Sequence, residues 1–448
     1  MTPVSTGEAD TIAAVASPPG QGAVSLIRVS GKEALDVVTS AFRSRKPLTP
    51  RTAVLGKIVA ANGDVIDEVL ATAFAEPASY TGEDTVEIAC HGGILVTRSV
   101  LARIVEAGAR PADAGEFSRR AFQNGKMDLT QAEAVMDLIS AQTERGLRAA
   151  HEQLSGRLGQ EILELREALL GSLAHLEAYI DFPEEDIDPE TGSALAGGIA
   201  NTRKRVADLL ATADQGRILR EGVRTVLCGA PNAGKSSLLN RLLGHDRAIV
   251  SSTAGTTRDT IEETVNLRGY PLRLTDTAGV RDETDDAVEA QGIQRTRDAI
   301  TGADLVLEIV DSSQPVSERI AESSSAILVK NKSDLGVHSS WTTHKGVEVS
   351  CTSGEGFEQL AEEIEQSLTG DSIGWGGGAA AINTRHQACL KRAATSLDAT
   401  LVALEAGTPP EFVALDLREA LTAIGEVIGT VDTEELLGQI FGTFCIGK

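Results

Sequence analysis

Gly229-Ala230-Pro231-Asn232-Ala233-Gly234-Lys235-Ser236 comes directly after Thr225-Val226-Leu227-Cys228, an apolar run that predicts a buried strand. The octet has the form G-x-x-x-x-G-K-S. Its glycines let backbone N–H groups wrap phosphate oxygens at the start of the next helix. In such a loop Lys235 reaches the β- and γ-phosphates, and the Ser236 hydroxyl ligates Mg²⁺. The bland alternative is a glycine turn before a helix, so the loop must be weighed with the motifs downstream of it.

Leu272-Arg273-Leu274-Thr275 predicts a strand ending in Asp276-Thr277-Ala278-Gly279, a D-x-x-G. There Asp276 is expected to hold Mg²⁺ through water, and the Gly279 amide to sense a γ-phosphate. The polar loop Gly255-Thr256-Thr257-Arg258-Asp259 lies between, with Thr257 placed to complete the Mg²⁺ shell. Ala326-Ile327-Leu328-Val329 leads into Asn331-Lys332-Ser333-Asp334. A carboxylate at Asp334 accepts two hydrogen bonds from guanine, a donor pair that adenine lacks. Val347-Glu348-Val349 then leads to Ser350-Cys351-Thr352 on the far side of the base. Four ordered motifs, each after a strand, imply a GTPase. Nucleotide contacts are expected along Asn232, Ala233, Gly234, Lys235, Ser236 and Ser237, and from Ser251, Ser252, Thr253 and Ala254 through Gly255, Thr256 and Thr257. The remaining contacts come from Asp276, Thr277, Ala278 and Gly279, from Asn331, Lys332 and Asp334, and from Ser350, Cys351 and Thr352.

Two residues narrow the chemistry. Val280 stands where Ras-like enzymes carry a water-orienting Gln, so catalysis must recruit another group. Asn232 is either a turn residue after Pro231 or a ligand whose amide oxygen holds a monovalent cation beside the phosphates.

Around this block the 448-residue chain reads as a soluble, three-domain protein. Residues 1 to about 120 are mixed α/β: strand-like runs at Val24 to Val29, Val54 to Val59 and Thr85 to Ala89 alternate with a helical pattern at Ile94 to Ala107. Turns fall at Pro18-Pro19-Gly20-Gln21-Gly22 and Tyr80-Thr81-Gly82. From Thr130-Gln131-Ala132-Glu133, read as a capping box, Ala- and Leu-rich helical sequence runs to about Tyr179, and a further helical stretch covers about 193 to 214. Strand–helix alternation starts near 222, a glycine-rich linker lies at Gly374 to Gly378, and helical periodicity returns from Ala379 to Phe441. An α/β domain inserted into a discontinuous helical one is the simplest organisation.

The net charge of −24 argues against broad, sequence-independent binding of nucleic acid, which relies on Lys and Arg. Five scattered cysteines, with no C-x-x-C, support neither a zinc ribbon nor a disulfide framework, and a reducing cytoplasm is the expected compartment. No signal peptide and no membrane span are expected.

The sequence closely resembles the MnmE/TrmE family of tRNA-modification GTPases over essentially its whole length. The resemblance rests on Ser17-Pro18-Pro19-Gly20, Ile27-Arg28-Val29-Ser30-Gly31, Tyr80-Thr81-Gly82-Glu83-Asp84 and Cys90-His91-Gly92-Gly93. Gly115-Glu116-Phe117-Ser118-Arg119-Arg120-Ala121-Phe122, Asn124-Gly125-Lys126-Met127-Asp128-Leu129 and the terminal Phe444-Cys445-Ile446-Gly447-Lys448 complete it. It implies a tetrahydrofolate-binding-like dimerisation domain at 1–122, helical parts at 123–217 and 373–448, and a Ras-like P-loop G domain at 218–372. It also implies a homodimer that works with the FAD protein MnmG, installing an aminomethyl or carboxymethylaminomethyl group at C5 of the tRNA wobble uridine. The one-carbon unit comes from 5-formyl- or 5,10-methylene-tetrahydrofolate, and K⁺-dependent pairing of G domains drives GTP hydrolysis.

Carried over residue by residue, Asn232 becomes a K⁺ ligand with Ser251, Thr253 and Thr256. Glu289 helps position the attacking water, where chemistry alone reads it as a solvated carboxylate at a helix start. Arg28, Glu87, Lys126 and Lys448 become folate contacts. Cys445 is a nucleophile or a packing residue. The family's usual Ser-Ala-Lys reads Ser350-Cys351-Thr352 here, which removes a Lys stem from the base. Two other classes share parts of this pattern: a GTP-dependent ribosome-assembly switch, which usually carries a basic RNA-binding module, and a folate-dependent one-carbon transferase with a regulatory G domain.

Overall fold

The computed structural model of the protein describes residues 10–181, 190–245, 262–276, 299–316, 319, 326–369, 382–430 and 434–448. The chain forms two compact units, one of Met1–Met136, Gly159–Leu163 and Ile424–Lys448, the other of Asp137–Leu158 and Glu164–Ala423.

The first unit is built on a seven-stranded sheet. Its strands are β1 (Ile12–Val15), β2 (Val24–Ser30), β3 (Phe42–Ser44), β4 (Ala53–Val59), β5 (Val65–Phe74), β6 (Thr85–His91) and β7 (Arg110–Pro111), in the order β3-β4-β5-β6-β2-β1-β7. Its ladders are antiparallel except that of β1 with β7. Alternation along the strands sends Ile27, Val29, Val69, Ala71, Val86 and Ile88 to one face. There they bury against Val37 and Val38 of the helix Ala34–Ala41, and Val100 and Ile104 of the helix Ile94–Glu106. The other face carries a row formed by Leu55, Leu70, Ala89 and Leu26 across four paired strands.

The chain's last residues complete this unit. Leu437, Phe441 and Phe444 pack with Leu129 and Ala132, and the rings of Phe441 and Phe444 lie 5.2 Å apart between centroids. Gly447 (φ 98°) passes so close to β1 that a Cβ there would sit 2.3 Å from the Val15 carbonyl oxygen. The Phe117 amide donates to the Lys448 carbonyl at 3.2 Å.

In the second unit a six-stranded sheet runs in the order β13-β12-β11-β8-β10-β9, with β8 (Val223–Cys228), β9 (Glu262–Leu267), β10 (Tyr270–Asp276), β11 (Leu305–Asp311), β12 (Ala326–Asn331) and β13 (Val347–Glu348). All its ladders are parallel save the β9–β10 hairpin. Central parallel strands are covered on both faces and so read as unbroken apolar runs, and Leu305–Val310 is buried throughout, Glu308 included. Neither β9 nor β11 is among the strands expected from sequence; the glutamate in the middle of Leu-Val-Leu-Glu-Ile-Val obscures β11. Buried Glu308 is paired with Arg319 at 2.8 Å.

The helical stretches differ from expectation at their ends. The helix Leu129–Ser140 is capped two residues earlier than the expected Thr130/Glu133 box. Asp128 Oδ1 accepts the Gln131 amide at 2.9 Å, and Gln131 Oε1 accepts the Asp128 amide at 3.0 Å. That D-x-x-Q box wins because Thr130 is buried inside the first turn, its hydroxyl donating to Asp128. The run to Tyr179 is three helices, Leu129–Ser140, Glu144–Leu154 and Arg157–Asp181. Thr143 starts the second by accepting the Gly146 amide at 3.1 Å, and Gly156 (φ 84°) separates the third. The later stretch is likewise two helices, Glu190–Leu210 and Ala213–Glu221. After residue 382 come Thr384–Glu405, Pro410–Ile428 and Glu434–Gly442. Asn383 caps the first of these reciprocally with His386, and Asp398 ties it to Arg203 of Glu190–Leu210 at 2.8 and 2.9 Å. Among the described residues no helix is long and apolar enough to cross a membrane.

Candidate functional site

β8 ends at Cys228, and the next residues form a tight loop before the helix Lys235–His245. Two glycines make that loop possible. Gly229 (φ 148°) crosses β11 where a Cβ would lie 2.1 Å from the Ile309 carbonyl oxygen, and Gly234 (φ 104°) approaches the Asn331 side-chain nitrogen equally closely. Asn232 is left-handed as well (φ 60°) and exposed. Lys235 folds back over the loop and donates to the carbonyls of Gly229 at 2.8 Å and Ala230 at 3.0 Å. Ser236 and Ser237 lie in the first turn of the helix. Here the backbone amides lack intrahelical acceptors, which suits an anionic ligand.

Asn331 joins this loop to two others. Buried at the end of β12, it donates from Nδ2 to the Ala233 carbonyl at 2.9 Å, and its Oδ1 accepts the Cys351 amide at 3.2 Å. Lys332 turns left-handed (φ 64°) and starts a short 3-10 turn, Ser333–Leu335, that carries the exposed Asp334. Lys332 Nζ lies 2.7 Å from Asp311 Oδ2. Ser350 holds the third loop: its Oγ accepts the Ser353 amide, its carbonyl accepts that of Gly354, and its own amide donates to the Glu355 carbonyl. Burial raises the Cys351 thiol pKa, with Asp334 adding to it against Arg241. Burial likewise pushes Cys228 up to about 12, so that thiol is inert behind the loop.

The structure thus gathers Asn232, Ala233, Gly234, Lys235, Ser236 and Ser237 with Asn331, Lys332, Asp334, Ser350, Cys351 and Thr352 at the C-terminal ends of β8, β12 and β13. Crevices at that edge are where open parallel sheets take ligands. Asp276 ends β10, beside Leu227 of β8. The expected contacts Ser251, Ser252, Thr253, Ala254, Gly255, Thr256, Thr257, Thr277, Ala278 and Gly279 lie outside the described residues, as do Val280, Glu289 and the Gly374 to Gly378 linker.

A second cluster lies in the first unit. Arg28 and Glu87 face each other across β2 and β6, with Glu87 Oε1 accepting from Arg28 Nη2 at 2.9 Å and Nε at 3.1 Å. The guanidinium stacks on Tyr80 at 4.9 Å and Phe117 at 5.7 Å, and the Tyr80 hydroxyl meets Ser118 Oγ at 2.8 Å. Arg28 Nη1 is buried with no hydrogen-bond partner among the described residues. Lys448 is half-buried, its carbonyl on the Phe117 amide. Lys126 is exposed and donates to the Pro77 carbonyl at 3.0 Å. Cys445 is exposed, and its carbonyl accepts the Gly115 amide. Tyr80 and Phe117 stand in sequence blocks that carry the family resemblance, but which cation they contact depends on strand pairing.

A mostly parallel sheet whose strand β8 passes through a glycine-built loop into a helix defines the class, an α/β protein combined with a second sheet and many helices. Two family models match the chain, the GTP-binding protein TrmE N-terminus over residues 11–126 and the MnmE helical domain over residues 129–445. The chain belongs to the MnmE/TrmE family of tRNA modification GTPases, a family of GTP-hydrolysing enzymes. Among its relatives, the tRNA modification GTPase MnmE of Akkermansia muciniphila is 51% identical over 446 residues, 98% of this chain and 99% of that protein. The proteins of the same name from Geobacter sulfurreducens and Aquifex aeolicus are 45% and 44% identical, each aligned over 98% of this chain and over 99% and 100% of their own lengths.

Proposed function

We propose that this chain hydrolyses GTP in an inserted G domain, residues 218–372, and couples that reaction to modification of the tRNA wobble uridine. What carries the reading is the Asn331 amide, which ties a phosphate-type loop to the two loops expected to grip guanine. Water attacks the γ-phosphorus, the bond to the β–γ bridging oxygen breaks, and GDP and phosphate leave. Lys235 and the loop amides stabilise charge on the phosphate oxygens, and Asp334 selects guanine. Ser236, Thr257 and Asp276 would hold Mg²⁺, which supplies charge neutralisation when bound. Exposed, left-handed Asn232 suits a K⁺ ligand beside the phosphates, with Ser251, Thr253 and Thr256 supplying the rest. Glu289 positions the water that Val280 cannot.

Arg28, Glu87, Lys126 and Lys448 are the folate contacts of this proposal. The orphaned Arg28 Nη1, on a guanidinium that lies over both the Tyr80 and Phe117 rings, fits an anionic or polar group on a flat ligand. The domains at 1–122, 123–217 and 373–448 carry the folate site and the helical frame, with Cys445 in the last of them. A homodimer acting with the FAD protein MnmG, in the cytoplasm, completes the assembly. The test is nucleoside mass spectrometry of tRNA from cells lacking the gene, with turnover assayed with and without MnmG. Loss of the C5 aminomethyl or carboxymethylaminomethyl group supports the reading. Unchanged wobble uridine, or full turnover without MnmG, would overturn it.

A further inference from the structure

We infer that Asp311 is a positioning residue for base recognition, holding Lys332 and through it the left-handed turn that presents Asp334. The inference rests on the guanine reading of Asp334 and adds a residue outside the four motifs. Asp311 is the first half-buried residue after the fully buried run Leu305–Val310, and it pairs in register with Asn331 of β12. Its two oxygens face different elements. Oδ2 takes the Lys332 ammonium at 2.7 Å, while Oδ1 accepts the Ser313 amide at 3.0 Å and the Ser313 hydroxyl at 2.6 Å.

The next residue closes the same knot. Ser312 donates to the Asn331 carbonyl from its amide at 2.9 Å and from its hydroxyl at 2.8 Å. The backbone entering Lys332 is therefore held at the Asn331 carbonyl by Ser312, the residue that follows β11. Lys332 itself has φ 64° and ψ 33°, a conformation that a side chain with a Cβ adopts only when its surroundings enforce it. The amides of Ser333, donating to the Val349 carbonyl at 3.1 Å, and Leu335, donating to the Lys332 carbonyl at 3.0 Å, carry that geometry into the turn. Asp334 is exposed at its middle, and its carboxylate makes no hydrogen bond among the described residues.

A carboxylate is required rather than any polar group. Asparagine at 311 could still accept from Ser313, but it would leave Lys332 without its counter-charge. Burial acts to raise the Asp311 pKa, and the bonds from Lys332 and Ser313 outweigh it, so the group is ionised at neutral pH. Because Lys332 and Asp334 serve the base, losing this support weakens ground state and transition state alike, which raises KM and leaves kcat.

The experiment compares wild type, D311N and D311E as full-length chains, by GDP titration, steady-state GTP hydrolysis and nucleotide-free thermal melting. We expect D311N to raise the Kd for GDP and the KM for GTP roughly tenfold, with kcat within about twofold and the nucleotide-free Tm little changed. D311E should recover most of the affinity. An unchanged Kd, or a kcat that falls as far as KM rises, overturns the inference. Should D311N fail to fold, S313A removes the hydroxyl bond that helps orient the carboxylate and leaves only the Ser313 amide on Oδ1; an unaltered Kd there overturns the inference equally. Wild type that binds no GDP removes the functional reading and this inference together; wild type that binds while D311N binds equally well removes this inference alone.

Discussion

The Asn331 side chain reaches across from the end of β12 to the Ala233 carbonyl, 98 residues earlier in sequence, at 2.9 Å. One buried amide thereby joins the glycine-built loop after β8 to the loops that follow β12 and β13. Asn331→Ala would leave the Ala233 carbonyl and the Cys351 amide unpaired in a buried place. We expect a stability loss of about 1–3 kcal/mol and GDP affinity lower by roughly tenfold or more, read by denaturant titration and GDP binding. Gly234→Ala should reproduce the binding defect, since its Cβ would land 2.1 Å from the same nitrogen.

Asn232 is exposed and makes no contribution to the core. Replacing it with Ala should leave folding intact and abolish the extra hydrolysis that the cation proposal expects in K⁺ over Na⁺. Rates measured in the two salts decide this. A variant that keeps its K⁺ response refutes the cation assignment.

Asp304 accepts from Arg224 and Arg217 and from the Arg224 amide, which outweighs the effect of burial and lowers its pKa to about 2. A carboxyl depressed in this way adds stability that is complete above its ordinary value near 3.8 and is lost as pH falls toward 2. Asp304→Asn should cost about 2 kcal/mol at pH 7, and the gap to wild type should close between about pH 4 and pH 2. Urea unfolding across that range gives the answer; a gap independent of pH would contradict the electrostatic account.

Arg28→Ala removes the guanidinium from the Tyr80 and Phe117 rings and from Glu87. Binding of 5-formyl-tetrahydrofolate should weaken by roughly tenfold or more, while GTP hydrolysis by the isolated chain stays within about twofold. Calorimetry with the folate and a phosphate-release assay separate the two effects. Normal folate binding would remove Arg28 from the site.

Much of the second unit is legible in the sequence because its signals are local. β8, β10, β12 and β13 each precede a motif, and the apolar runs at Thr225 to Cys228 and Ala326 to Val329 lie inside observed strands. The helix start at Leu129 departs from the expected box for a local reason too. Thr130/Glu133 and Asp128/Gln131 both satisfy the capping spacing, and burial of Thr130 decides between them. β9 and β11 carry no such marker. Glu308 is tolerated in a buried central strand because Arg319 meets it, a pairing that no periodicity announces.

The sequence by itself determined that a glycine-built loop stands between a strand and a helix, and that three later loops each come after a strand. Those features depend on neighbours within a few residues: φ > 0 glycines, apolar runs and caps. Tertiary structure decided which loops meet. Asn331 finds Ala233, Asp311 finds Lys332, Arg28 finds Glu87, and Gly447 finds Val15 only because sheet register and packing bring distant backbone together. Their pairing energy exists only after that register has formed, so no single stretch of sequence carries it.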